Sequence, residues 1–384
     1  MKKICFVTGT RADYGILAPV MKEVVKCPEA KLQIIATNMH LSPEFGMTVN
    51  EIEEDGFRVD FKIESYIPGG TDRTTVESMA KVEEGMAVAL ASLKPDMIVI
   101  LGDRYEALSA ASAAVVFNIP IAHLHGGEIT EGAIDDKFRN AITQLATLHF
   151  ASTPQYVERI ISMGAIPENV FHSGAPGADI KEEALDYDEE FFTKTGLNPY
   201  TPYIILAMHP VTLLEDKGLQ EVKAVVEAME SFITLGYKVL LTMPNSDPGT
   251  AAISKLLTDW ANSNPENVIA VKSLGAKLFH YAMEHAAAIV GNSSAALIEA
   301  PTYRLPAVNV GRRQKGRAHG ATVINISAEK EKIIMALEAA TSLEMKGVVM
   351  GQSIKALNPY YKKDAAEFIS TTILDYLARM NHSN

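Results

Sequence analysis

The strongest constraint on this chain is a rhythm, because short apolar, β-rich runs alternate with stretches of helical period, in two successive sets. In the first half the runs are ICFVT (4–8), LQIIAT (32–37), DMIVIL (96–101), IPIAHL (119–124), LHFAS (148–152) and NVFHSG (169–174). Helical period fills the gaps, as in Tyr14–Val25, Thr75–Leu93, Tyr105–Phe117 and Pro154–Met163. Runs that are apolar throughout belong to strands covered on both faces, and the helices between them supply the crossovers that parallel strands need. The rhythm pauses at KEEALDYDEEFFTKTGLNPYTP (181–202), read as helix plus linker because Phe191, Phe192 and Leu197 can pack. It resumes with YIILAMH (203–209), KVLLTMP (238–244), NVIAVKS (267–273), AAIVGNS (287–293) and PAVNVG (306–311), with helical sequence such as Gly218–Leu235 and Thr250–Trp260 between them. The expectation is an α/β protein of two Rossmann-like domains, 1–185 and 200–360, separated by an interdomain cleft. A helical tail, 361–384, can cross back to brace the first domain.

At 384 residues the chain is long enough for two separate cores. A net charge of -12 argues against broad nucleic-acid or membrane contact, which needs basic surface. Cys5 and Cys27 belong to no CxxC or Cys/His array, so neither a disulfide framework nor a zinc site is expected. With no signal-peptide pattern after Met1 and no apolar stretch of transmembrane length, a cytoplasmic location is expected. The sequence has no GxGxxG fingerprint, Walker lysine motif or GxSxG elbow, which disfavours nicotinamide chemistry and points to no cofactor.

In doubly wound sheets ligands sit at the carboxyl ends of the strands, and the unusual clusters of this sequence follow strands directly. GTRADYG (9–15) offers a glycine turn, helix N–H groups and Arg11 to an anion, or else forms a plain strand-to-helix turn. LGDRYEA (101–107) sets Asp103 and Arg104 at the crevice rim. HLHGGEITEGAIDDKFRNAIT (123–143) gathers His123, His125, Glu128, Glu131, Asp135, Asp136 and Arg139; it suits acid–base chemistry better than metal binding, with one of the two aspartates open to an N-cap role. MHPVT (208–212) holds His209 extended before Pro210, and PNSDPGT (244–250) brings Asn245 in a turn-rich strand exit. VGNSSAALIEAPTYRLPAVNVGRRQKGRAHG (290–320) combines Ser293 and Ser294, Glu299, and a basic knot of Arg312, Arg313, Lys315, Arg317 and His319. In so acidic a chain, such a knot is expected to face an anion.

Taken in order and spacing, GTRADYG, GDR, HGGE with the following Asp–Asp pair and Arg139, HPVT, GNSSAALIEAP and GRRQKGR resemble the UDP-N-acetylglucosamine 2-epimerase family over essentially the whole chain. The likeness is to its hydrolysing branch of sialic and legionaminic acid pathways. The resemblance implies a glycosyltransferase-B-like fold with UDP in the cleft, bound mostly by the second domain, and a homodimer or homotetramer. It implies that Arg11 and His209 approach the diphosphate, Ser293 and Ser294 hold phosphate, Glu299 takes the ribose hydroxyls and Arg313 closes the site. Arg104, Arg139, Asn245 and Arg317 join the substrate-binding set. Asp103, the HGGE loop and Asp135–Asp136 would face the sugar as acids and bases. Some hydrolysing members carry Glu where this chain has His125, while other bacterial members share His-Gly-Gly-Glu, so the base falls to His125, Glu128 or Asp135. The implied substrate is UDP-GlcNAc, converted with water to ManNAc and UDP by anti elimination and hydration of the glycal. UDP-N,N'-diacetylbacillosamine is the alternative substrate, and a UDP-sugar transferase or nonhydrolysing epimerase the alternative activity.

Overall fold

The computed structural model describes residues 1–179 and 188–380. Its first sheet contains β1 (Lys2–Thr8), β2 (Ala30–Thr37), β3 (Phe61–Ile63), β4 (Met97–Leu101), β5 (Ile121–Leu124), β6 (Leu148–Ala151) and β7 (Val170–His172). Their spatial order is β3-β2-β1-β4-β5-β6-β7, with parallel pairing throughout. The second sheet is built from β8 (Tyr203–Ala207), β9 (Lys238–Thr242), β10 (Val268–Val271), β11 (Ala288–Gly291), β12 (Ala307–Val310) and β13 (Val323–Ile326). It is ordered β10-β9-β8-β11-β12-β13, again parallel. In both sheets the winding direction reverses beside the first strand, between β1 and β4 and between β8 and β11, and a crevice opens at each reversal.

The alternation of side chains along a strand explains why both faces of each sheet are dry. On β1, Ile4 and Phe6 enter one apolar cluster, while Cys5 and Val7 enter the cluster on the opposite face. On β8, Ile204 and Leu206 face one cluster and Tyr203 and Ile205 the other. The helix Ala365–Met380 places Ile369, Ile373 and Leu377 on one stripe, fully packed in the first domain's cluster against the helix Arg11–Lys26. Burying three such side chains contributes roughly 5–9 kcal/mol.

Two strands, Phe61–Ile63 and Val323–Ile326, have no counterpart among the expected runs; both are short, lie at sheet edges and carry polar residues. Of the expected helix-plus-linker over 181–202, residues up to 187 lie outside the described residues. Its remainder contains the helix Asp188–Thr195, where Phe191 packs between Tyr203 and Tyr281 of the second domain at ring separations of 5.9 and 4.9 Å.

Candidate functional site

The loops leaving β1, β4 and β5 meet those leaving β8, β9, β11 and β12, and side chains from both domains interlock there. A cavity of about 140 Å³ lies at this junction. The first domain contributes Arg11 and the second His209, Asn245, Ser293, Ser294, Glu299 and Arg313, with Leu274 and Phe279 on its apolar side. Seven of the candidate residues, dispersed over three hundred positions of sequence, therefore line one space. Asp103, Arg104, His125, Glu128, Asp135, Asp136, Arg139 and Arg317 do not line it; they form a polar layer alongside.

Arg11 opens the helix Arg11–Lys26 and crosses the cleft, where its guanidinium donates to the carbonyls of Lys272 and Met243. Ala12 and Gly15 line the cavity beside it, while Gly9, Thr10, Asp13 and Tyr14 serve the fold. The side chain of Asp13 accepts from the Gly9 and Thr10 N–H groups, and Thr10 Oγ1 accepts from the Asp13 N–H, a capping box that uses donors the sequence offered to an anion. A Cβ on Gly9 would sit 2.6 Å from Glu106 Cγ, so this glycine makes room for a buried carboxylate. Tyr14 is buried and donates to Asp55 Oδ2 at 2.7 Å.

His209 follows β8, its backbone N–H and carbonyl both tied to the Asn292 amide at 2.7 and 2.9 Å. Its Nδ1 accepts from the Asn245 N–H at 3.4 Å, which leaves the ring proton on Nε2. Burial, with Arg313 next in effect, lowers its pKa to about 3, so the ring is a neutral donor at physiological pH. Arg313 donates to the Asn292 carbonyl at 3.2 Å, and its Nε is buried without a partner.

In the adjoining layer, Arg104 is buried and bridges the domains. It donates to Glu106 at 2.5 Å in its own domain, and to Asp247 at 2.9 Å and Ser246 at 3.1 Å in the other. Fully buried Arg139 donates to Asp103, to the Glu128 carbonyl and Thr130 Oγ1 at 2.9 Å, and to Asp136 at 3.4 Å. The helix Asp135–Leu145 has Ile134 at its N-cap, so neither aspartate caps it; Asp136 instead accepts from the Thr130 N–H at 2.8 Å. Burial and the neighbouring Asp247 outweigh the pull of Arg313 and Arg104 and raise the Asp135 carboxyl to a pKa of about 6. Glu128 is fully buried, with its carboxylate shared among Arg317, Ser152 and His125. Gly127 has φ of +73° and a Cβ there would meet the Tyr156 carbonyl at 2.8 Å, so this glycine lets the chain pack closely against itself.

Asp247, Ser246 and Glu106, the anchors of Arg104, carry no sequence signal of that role. They lie within LGDRYEA (101–107) and PNSDPGT (244–250), but nothing in the sequence pairs position 104 with position 247.

The family model described as UDP-N-acetylglucosamine 2-epimerase matches residues 22–374. The chain belongs to the UDP-N-acetylglucosamine 2-epimerase family. It is an enzyme of that UDP-sugar 2-epimerase class, in the two-domain glycosyltransferase-B arrangement. A relative from Campylobacter jejuni, the hydrolysing GDP/UDP-N,N'-diacetylbacillosamine 2-epimerase, is 33% identical over 90% of this chain and 89% of its own length. The UDP-N-acetylglucosamine 2-epimerase of Neisseria meningitidis is 32% identical over 89% of this chain and 88% of its own. Among solved structures, an S. aureus MnaA–UDP co-structure shares the fold with a TM-score of 0.77 at 19% identity, over 98% of this chain and 97% of that one. Among the described residues of this epimerase no cluster of His, Cys, Asp and Glu is arranged to hold a metal ion, and no helix is long and apolar enough to cross a membrane.

Proposed function

We propose that this enzyme is a hydrolysing UDP-N-acetylglucosamine 2-epimerase, taking UDP-GlcNAc and water to ManNAc and UDP. The observation that carries the reading is one cleft holding two kinds of chemistry side by side. An anion-receiving cavity built from both domains adjoins a layer with proton-transfer groups. In that layer Asp135 is raised to about 6, and His125 Nε2 is buried with no protein partner.

In this mechanism the diphosphate lies against Arg11, Arg313, the Ser293 and Ser294 hydroxyls and the His209 Nε2–H. Glu299 accepts the ribose hydroxyls, and Leu274 and Phe279 face the uracil. His125 Nε2 removes the C2 proton; that C–H pair becomes the C1=C2 bond, and the C1–O pair departs with UDP. Water then adds its hydroxyl at C1 and gives up its other proton to solvent, while C2 receives a proton on the opposite face from Asp135, giving the free sugar with C2 inverted; exchange with solvent then returns a proton to Asp135 and takes one from His125. Cations and fixed donors around the leaving diphosphate stabilise the charge that develops there, a term that often dominates catalysis. Asp103, held by Arg139, orients the sugar.

The hydrolysing outcome is supported by the Campylobacter relative's name, and the same name supports a second substrate, UDP-N,N'-diacetylbacillosamine. Chromatography of incubations with each UDP-sugar and no added acceptor tests the reading. Free sugar in equal amount to UDP is expected from one or both. Accumulation of UDP-ManNAc would place the enzyme with nonhydrolysing epimerases, and UDP release that requires an acceptor would make it a transferase.

A further inference from the structure

His125 is held in an unusual way. It sits at the end of β5 with φ of +61°, in the left-handed region that bulky side chains rarely adopt. The residue is 4% exposed, its Nδ1 lies 2.8 Å from Glu128 Oε1, and its Nε2 is buried with no partner. Glu128 Oε1 also accepts from Ser152 Oγ at 2.6 Å, while Oε2 accepts from Arg317 Nε at 2.9 Å and from Arg317 Nη2. Arg317 belongs to the second domain, and its Nη1 donates to Gln314 Oε1 at 2.8 Å. Gln314 donates in turn to the Asn292 carbonyl at 2.9 Å, and the Asn292 amide grips the backbone of His209. One unbroken chain of buried polar contacts thus runs from His125 in the first domain to the Asn292–Ser293 loop and His209 in the second. Burial alone would raise the Glu128 carboxyl; Arg317, followed by His125 and Ser152, outweighs it and holds the group well below the usual range, so it is ionised.

We propose that Glu128 and Arg317 are positioning residues that set the tautomer and aim of His125, and that they link this base to the docked state of the two domains. The proposal rests on the reading that His125 removes the C2 proton. An ionised carboxylate only accepts hydrogen bonds, so the His125 ring proton stands on Nδ1 and the lone pair on Nε2, as proton abstraction requires. Arg317 fixes the far oxygen of Glu128 and reaches it from the opposite domain. The base is therefore held ready when the second domain, with its Asn292–Ser293 loop, is in place, and is released when the domains part.

The test is made on the full-length enzyme with ¹⁵N-labelled histidine. Ring ¹⁵N spectra should show His125 as the Nδ1–H tautomer in the wild type. In Glu128→Gln the amide NH₂ can donate to Nδ1 and drive the proton to Nε2. A wrong tautomer at a comparable carboxylate–histidine pair costs about 10⁴-fold in turnover, so kcat should fall by at least about 10²-fold. Exchange of the substrate C2 proton with solvent should fall in parallel, while KM and the Kd for UDP stay within about threefold. Arg317→Lys should recover most of the kcat that Arg317→Gln loses. Because Arg317→Gln strands a buried carboxylate, Glu128→Gln/Arg317→Gln removes both charges. The relay predicts that this double variant stays as slow as Glu128→Gln, whereas a purely structural interdomain tie predicts recovery. An Nε2–H tautomer in the wild type, a Glu128→Gln kcat within threefold of wild type, or recovery in the double variant overturns the proposal. A wild-type enzyme with the Nδ1–H tautomer that exchanges no C2 proton from either UDP-sugar would overturn the functional reading instead, and the relay's catalytic role with it.

Discussion

Gly132 is the point at which a single methyl group should separate folding from function. It is buried in the loop before Asp135, and its backbone is outside the left-handed region, so alanine fits the local conformation. The nearest atoms a Cβ there would meet belong to the second domain: the Arg312 carbonyl oxygen, and Arg312 C and Arg313 Cα both at 2.7 Å, where ordinary contact begins at 3.4 Å. These are backbone atoms of a loop already tied to this one by the Glu131 N–H to Lys315 carbonyl bond at 3.1 Å. They cannot swing aside, and Gly132→Ala must open the junction by about 0.7 Å or more. Overpacking of this kind costs about 1–3 kcal/mol, which is roughly 5- to 150-fold in the docking equilibrium constant. The displaced residue is Arg313, so misplacement by a fraction of an ångström adds to the loss. The expected result is kcat/KM lowered about 10- to 100-fold in a UDP-release assay, with Tm changed by only a few degrees because each domain keeps its own core. A variant with kcat/KM within twofold of wild type would refute the claim that closed, tightly docked domains are the working state.

Three further outcomes follow from the site. Arg313→Met removes a buried charged donor from the cavity and should raise the Kd for UDP about 10- to 150-fold by calorimetry; an unchanged Kd would remove Arg313 from the nucleotide site. Asp103→Asn should abolish turnover while leaving UDP affinity nearly intact, and lost affinity would mean that Asp103 serves nucleotide binding instead. The folded Asp135 carboxyl titrates at about 6, above its unfolded value of 3.8. The native state therefore holds this proton longer, and the contribution of Asp135 to stability falls as pH climbs from about 4 to about 6, by on the order of 2–3 kcal/mol. Asp135→Asn lacks that fall, so its Tm should gain on wild type across this window and run parallel above it; a Tm difference independent of pH would contradict the buried placement.

Much of the architecture could be read from periodicity because strands buried on both faces announce themselves as unbroken apolar runs. Phe61–Ile63 and Val323–Ile326 escaped because edge strands are short and polar on their open side. At the site, motifs that follow strands directly found the cavity: Ser293, Ser294 and Arg313 stand where their positions after β11 and β12 imply. What the sequence could not show is which charges neutralise one another. Arg317 and Glu128 are 189 positions apart, and Arg104 and Asp247 143, so their pairing is a product of domain docking and leaves no local pattern. For the same reason GTRADYG could not be divided in advance between Arg11, which faces the cleft, and Thr10 and Asp13, which cap their own helix.

NMR of the reaction run in D₂O tests most directly whether this cleft removes the C2 proton of a UDP-sugar, expels UDP and delivers a free 2-epimer. Free ManNAc, or its diacetamido counterpart from UDP-N,N'-diacetylbacillosamine, is expected fully deuterated at C2 and released with one equivalent of UDP. Free sugar that retains protium at C2, or no UDP released from either substrate, would contradict that chemistry.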